Sequence, residues 1–373
     1  MQAEGGSKGF LKRSAAVVAS IAVAAFLFAW SGIYNVAASS GHWIIFDWFL
    51  RFGMSNSVSL RAQAITAPPL GDPNLVSLGA AHFQIACAFC HGSPVGPVNP
   101  VTDKMLPAPP NLATEMRPWT DEELFWIVQN GIKYTGMPGW VALERHDEIW
   151  AVVAFLKKLR GLDREAYRSL AFGHTHPPPQ PGEPAAADAS GGTNVALCAR
   201  CHGDERGGPQ SALVPSLHGQ SHVFLSAALR DYASGKRHSG IMQPVAAELE
   251  EPDVNRLAAY YAKLRPVERH SASDDVLIAY GRMLATAGDS DSDVPACVSC
   301  HDRSALPSYP RLEGQSAVYM ANQLRLFKNG HNAMSAGGAI MAPIAQRLDA
   351  RDIDAVAAYF ASISSTTSRT GAP

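Results

Sequence analysis

The six cysteines of this 373-residue chain fall as three pairs, each followed directly by a histidine. The motifs read Cys87-Ala-Phe-Cys90-His91, Cys198-Ala-Arg-Cys201-His202 and Cys297-Val-Ser-Cys300-His301. Two thiols three positions apart on one helical turn can each add to a vinyl group on one porphyrin edge. The next residue then sets an imidazole beneath the iron. The spacing predicts three covalently bound heme c groups. Cys87, Cys90, Cys198, Cys201, Cys297 and Cys300 are the attachment points, and His91, His202 and His301 the proximal ligands. A zinc site would need further ligands at fitting spacing, and no cysteine is left over. A redox dithiol does not require His after its second Cys three times. A disulfide closing so small a ring is a poor structural staple.

The sixth ligand follows from the spacing. Met242 lies 40 residues after His202, and Met341 lies 40 after His301. The loops around Gly219 and Gly314 divide that distance differently, yet the total is the same, as expected if both ends are pinned to one iron. In the first block Met137 lies 46 residues after His91, within Thr-Gly-Met-Pro-Gly-Trp. Pro138 stops helix there and leaves the thioether on an extended loop. Met334 rivals Met341 but has no counterpart in the repeat, and Met105 and Met116 stand shorter of the partner spacing than Met137. Met137, Met242 and Met341 are therefore the expected distal ligands, a His/Met set that fills the iron and raises its potential. The other histidines, His82, His218, His222, His238 and His331 among them, read as surface or satisfied interior groups. His174 and His176 could catch stray metal.

The elements that carry these residues read as helices. Thr120 with Glu123 forms a capping box opening ELFWIVQNGI. Asp147 opens a helix through EIWAVVAFLKKL, Glu251 with Pro252 opens VNRLAAYYAKL, and Asp349 with Asp352 opens IDAVAAYFASI. No alternating strand pattern of useful length occurs, so the fold class is all-α. Each block is too small for much core of its own, and a large apolar prosthetic group would supply the missing buried surface.

At the N-terminus Lys8, Lys12 and Arg13 precede a run without Asp, Glu, Lys or Arg that lasts until Asp47. Residues Ala15 to Val36 would rise ~33 Å as a helix, enough to cross a hydrocarbon core of ~30 Å. The run is longer than the apolar stretch of a cleaved signal peptide, and Trp30 and Tyr34 sit where an interfacial belt would lie. The expectation is a retained single-pass anchor in a bacterial inner membrane, with the N-terminus cytoplasmic and the heme blocks in the periplasm. Residues 41–61 place Trp43, Phe46, Phe49 and Leu50 at helical spacing. They form either an amphipathic segment on the membrane face or a short helix packed on a domain or partner.

The expected organisation is an anchor in 1–40, a connecting segment in 41–69 and a first domain in 70–175. A Pro-rich linker follows in 176–192, then a second domain in 193–268, a third in 269–365 and a tail in 366–373. The second and third blocks are a repeat. Cys198 and Cys297 are 99 residues apart, as are Met242 and Met341, and Gly-Gln-Ser recurs at 219–221 and 314–316.

From Cys198 to about Ile363 the chain resembles the two halves of a diheme cytochrome c4. The resemblance rests on the two C-x-x-C-H motifs, Leu-His-Gly-Gln with Leu-Glu-Gly-Gln, Ile-Met-Gln-Pro-Val-Ala with Ile-Met-Ala-Pro-Ile-Ala, and Ala-Ala-Tyr-Tyr with Ala-Ala-Tyr-Phe. The first block resembles a single class I cytochrome c domain. It implies three tandem class I cytochrome c domains after a transmembrane helix, two of them face to face, shuttling electrons between membrane complexes. There are two departures. Almost no helix precedes Cys198, and an acidic insertion, Gly288 to Asp293, precedes the third motif.

With every iron saturated, the expected role is an electron relay rather than a catalyst. The donor would be a quinol-oxidising complex or a dehydrogenase, and the acceptor a terminal oxidase or a soluble cytochrome. A tightly bound cytochrome subunit of a membrane dehydrogenase or oxidase is the alternative, and a heme peroxidase would need one heme without Met. The net charge of -2 excludes a strongly basic nucleic-acid binder.

Overall fold

A computed structural model describes residues 4–96, 99–173, 195–267, 274–302 and 306–364. The expected linker 176–192 and tail 366–373 lie outside them, as do His174 and His176. The described residues are helical, joined by loops that hold isolated β-bridges and no sheet.

The apolar N-terminal run forms α1, Glu4–Ser31. It ends five residues sooner than the apolar composition suggests, because Gly32 turns the chain at a φ of 67°. Residues Gly9–Ser31 remain long and apolar enough to cross a membrane, and no other described segment covers them. Helix α2, Ile44–Ala62, follows. Its C-terminal end packs on the first block through buried Val58 and Ala62. Ser59 donates to Glu123 at 2.5 Å and Arg117 donates to Ser55 at 2.8 Å. Trp43, Phe46, Trp48, Phe49 and Phe52 at its other end stay exposed.

The first block holds α3 (Pro73–His82), a π-helical stretch Phe83–Cys87 and α4 (Ala88–His91), followed by α5 (Asp121–Asn130), α6 (His146–Leu159) and α7 (Arg164–Phe172). The capping box of Thr120 and Glu123 is present. Helix α6 begins one residue before Asp147, whose carboxylate serves Arg145 instead of capping. The second block holds α8 (Val195–His202), α9 (His222–Ala233), α10 (Met242–Ala247) and α11 (Glu251–Lys263). The third holds α12 (Asp275–Ala287), α13 (Val298–His301), α14 (Ala317–Lys328), α15 (Gly338–Arg347) and α16 (Ala350–Ser362). The acidic insertion is a turn closed by two 2.8 Å backbone bonds between Asp289 and Val294.

The first and third blocks share one crossing, α3 on α6 and α12 on α16. Both crossings meet at a glycine. A Cβ on Gly79 would lie 2.0 Å from the Ala151 carbonyl oxygen, and one on Gly281 would lie 1.9 Å from that of Ala355. The helices touch backbone to backbone there. The second block lacks this crossing among the described residues. Its flank is closed by the first block, where Leu78 and Ala151 pack on Val214 with Cys201, Leu213 and Ile241. Asn74 accepts from the Ser211 hydroxyl at 2.9 Å and from the Ala212 amide at 2.8 Å.

Two predictions follow from this packing. Replacing Gly281 by Ala forces the α12–α16 backbones apart, an overpacking cost of about 1–3 kcal/mol. It should lower the thermal midpoint followed by circular dichroism while three hemes remain attached. The second concerns His82, buried on α3 with its ring edge-on to Trp140 at 4.9 Å. Burial pushes its pKa down from 6.5 to about 4. The unfolded chain therefore takes up a proton that the folded chain refuses. The stability from neutral His82 is complete above 6.5 and is lost as pH falls towards about 4. Denaturant titrations across that window should show a shallower acid limb in His82→Phe than in the wild type.

Candidate functional site

Each Cys-x-x-Cys-His motif ends a helix, so the two thiols and the imidazole share one helical turn. Each imidazole is aimed by the same device. Nδ1 of His91 lies 2.9 Å from the Pro110 carbonyl oxygen, that of His202 lies 3.0 Å from Pro215, and that of His301 lies 3.0 Å from Pro310. A carbonyl only accepts, so Nδ1 carries the proton and Nε2 keeps its lone pair for a metal. Burial lowers the pKa of His91 and His301, partly offset by these carbonyls, which favours the neutral ligating form. The three prolines stand in Pro-x-Leu triplets, a repeat that sequence reasoning missed.

Burial pushes the thiols of Cys87 and Cys198 up to about 12, each with help from the second cysteine of its pair, and those of Cys201 and Cys297 up to about 11. A redox dithiol needs a depressed thiol pKa, so these environments oppose that reading.

In the second and third blocks the attachment cysteines and the expected ligand residues meet in one continuous apolar cavity. Cys198, Cys201, His202 and Met242 line it together with Cys297, Cys300, His301 and Met341. Met242 opens α10 and Met341 lies within α15, so both thioethers stand on short helices rather than on free loops. Met334 is 77% exposed. In the first block Cys87, Leu112, Met116 and Trp140 pack on the core around Phe83 and Phe155. Met137 sits half-buried on the extended loop after α5, its carbonyl accepting from the Ile132 amide at 3.2 Å. Met105 lies against Gly136 in that loop.

The cavity fits a heme by a second criterion. Arg237 lines it, half-buried, its guanidinium held by Tyr319 at 2.7 Å and Gln323 at 3.0 Å. Its Nε has no protein partner. A buried donor without an acceptor is costly, and a heme propionate is the acceptor such a cavity would bring.

The two cavity-forming blocks are clasped by glutamines. Gln220 takes the Arg311 amide at 2.9 Å and gives to its carbonyl at 2.8 Å. Gln315 does the same to Ser216, at 2.9 and 3.0 Å. Each glutamine grips the residue four places before its counterpart, so the pairing has pseudo-two-fold symmetry. Gly219 and Gly314, at φ of 70° and 68°, make the turns that present them.

The first block is joined differently. Glu148, buried on α6, accepts from the Ser239 hydroxyl at 2.5 Å, the Gly240 amide at 2.7 Å and Arg145 at 2.8 Å. Ser239 in turn accepts from the Met242 amide at 2.9 Å. Burial pushes the Glu148 carboxyl up, against the pull of Arg145, while Arg145 beside Asp147 holds that carboxyl below its usual range despite burial. A carboxylate of one block thus braces the methionine turn of the next.

Residues 74–156 match the family described as cytochrome c oxidase, cbb3-type, subunit III. The chain is 33% identical over 171 residues to the thiosulfate dehydrogenase electron acceptor of Thiomonas intermedia, covering 45% of this chain and 78% of that protein. It is 33% identical over 180 residues to cytochrome c4 of Pseudomonas aeruginosa, covering 47% and 88%. The cytochrome c4 structure from Acidithiobacillus ferrooxidans is 30% identical, covers 44% of this chain and 98% of that one, and has a TM-score of 0.41.

Replacing Glu148 by Gln breaks the buried pair and leaves Arg145 under-compensated, a cost of about 3–5 kcal/mol. Denaturant unfolding should register that loss. A spectroelectrochemical titration should show one of the three heme potentials moving and the other two unchanged.

Proposed function

The chain belongs to the cytochrome c4 family of c-type cytochromes and carries three covalently bound heme c groups, and from that premise we propose that it is a membrane-anchored periplasmic electron relay. Its relatives are electron-transfer cytochromes. We assign His91 with Met137, His202 with Met242 and His301 with Met341 as the residues that would hold the three irons. The heme supplies reversible one-electron chemistry at iron, and the protein supplies ligands, spacing and a dry surround. With a histidine and a methionine both given to each iron, no coordination position would be left for oxygen or peroxide, which separates this reading from a peroxidase.

The observation that carries the proposal is the shared cavity, in which two complete Cys, Cys, His and Met sets face one apolar space. Helix α1 is the proposed single-pass anchor, with the three blocks on the periplasmic side. As donor we propose a dehydrogenase or a quinol-oxidising complex, the former in keeping with the relatives named as thiosulfate dehydrogenase electron acceptors. As acceptor we propose a terminal oxidase or a soluble cytochrome.

A second reading is favoured by the aromatic end of α2, where Trp48 and Phe52 stack at 5.5 Å while both remain exposed. It makes the chain a tightly bound subunit of a membrane dehydrogenase or oxidase, in keeping with the oxidase-subunit match of residues 74–156. Purification in mild detergent separates the two, since a stoichiometric partner supports the subunit and a lone chain supports the shuttle.

The ligand assignment has its own test. The oxidised protein should show the weak far-red band of Met-ligated ferric heme, and replacing Met137, Met242 or Met341 singly by Ala should each remove about one third of it. A variant that leaves the band intact removes that methionine from the assignment, and a wild-type protein with a third of it missing reopens the peroxidase reading.

A further inference from the structure

We infer that Glu144, His238 and His331 form a binding site for one divalent transition-metal ion, Zn²⁺ first among them, at the junction of the three blocks. The inference is independent of the electron-transfer reading.

The three residues are far apart in sequence and come one from each block. Glu144 precedes α6, His238 lies between α9 and α10, and His331 follows α14. One ligand atom from each lies within 4.8 Å of the other two. The Glu144 carboxylate already touches Nδ1 of His238, and the two imidazole rings are 6.1 Å apart. Closing such a set round an ion takes side-chain adjustment and no movement of the domains. All three are half-buried, so the site is sheltered yet open to an entering ion and to a water ligand.

The backbone beneath the cluster is fixed across the same three blocks. The His238 amide donates to Asn332 at 2.9 Å, and Asn332 is fully buried beside His331. The His238 carbonyl accepts from Arg145 at 2.8 Å, and Arg145 is the neighbour of Glu144. Arg145 adjoins Glu144 in the chain as Arg237 adjoins His238, and the charge of Arg145 is spent on Asp147 and Glu148. It therefore adds little repulsion towards an arriving cation. The Glu144 carboxyl lies below its usual range, its burial outweighed by backbone N–H and by the two histidines.

Two imidazoles and one carboxylate, with an open fourth position, suit Zn²⁺, and Cu²⁺ or Ni²⁺ by the same donors. Mg²⁺ and Ca²⁺ want oxygen ligands throughout and are disfavoured. Binding replaces the Glu144–His238 hydrogen bond by two bonds to the ion, with each ring ligating as a neutral imidazole. No electron moves. The ion would pin the first block to the paired second and third blocks, as a clamp beside the Glu148 contact.

Chelator-stripped triheme protein titrated with ZnCl₂ in a calorimeter tests this. One ion should bind per chain at neutral pH. His331→Ala and Glu144→Gln, each with unchanged heme content and visible spectrum, should lose more affinity than the roughly 10-fold that removal of a supporting partner costs. A His174→Ala/His176→Ala variant should bind like the wild type. Zinc should raise the thermal midpoint of the wild type and leave that of His331→Ala unmoved. No uptake by the wild type, uptake that survives both cluster substitutions, or uptake lost with His174 and His176 overturns the site.

Discussion

One hydrogen bond, made three times, sets the terms for the rest of the molecule. A neutral imidazole with its Nδ1 proton given to a proline carbonyl has a fixed tautomer, a fixed plane and a free Nε2. Proline suits the position because its ring and its missing N–H keep the residue out of regular helix and sheet, which leaves its carbonyl free to accept from the imidazole. The helices must then bring the Cys-bearing turn and the Pro-x-Leu loop to the same place. In two blocks that is done by a crossing so tight that it needs glycine. In the second block, where no helix before Val195 is among the described residues, apolar side chains of the first block cover the corresponding flank.

The two inter-block joints are made of different forces. The glutamine clasp between the second and third blocks uses neutral amides to complete backbone groups that a loop would otherwise leave to water. It costs no charge desolvation. The joint to the first block buries Arg145 with Asp147 and Glu148, and such a network gains little in net stability but punishes any misfit heavily. A clasp of the first kind favours close, permanent pairing. A joint of the second kind favours one orientation over all others.

Much of this was legible in the residues. The Cys-x-x-Cys-His motifs, the capping boxes of α5 and α16 and the absence of sheet among the described residues are local features, decided by neighbours in sequence. The repeated Gly-Gln-Ser was visible too, but its purpose was not, because each glutamine serves a residue in the other block. What stayed hidden is non-local or belongs to the backbone. A proline carbonyl acts through its main-chain oxygen, so its role leaves no side-chain signature. Glu148 reads as an ordinary first-turn acid until Ser239 and Gly240 arrive from 91 and 92 residues away. His238 and His331 read as scattered histidines for the same reason. The early end of α1 turned on one glycine inside an apolar run that composition alone could not divide.

These joints also bear on how three sites with one motif can differ. The Cys-x-x-Cys-His motif and the proline bond are common to all three, so neither separates their potentials. What remains, with the methionine ligands proposed above, is the support of each methionine and the charge buried near it. The Met137 loop rests on backbone contacts with Ile132 and on Met105. The Met341 turn follows the buried Asn332, whose carbonyl accepts from Ser335 at 2.8 Å. Among the described residues, the Met242 turn alone is tied through Ser239 to a buried carboxylate, with an arginine and a second acid beside it. Charge in a low-dielectric surround acts over longer range than charge in water. The middle block is thus the one whose electrostatics depend on a neighbour, and the docking of the first block and the properties of the second site are a single physical problem.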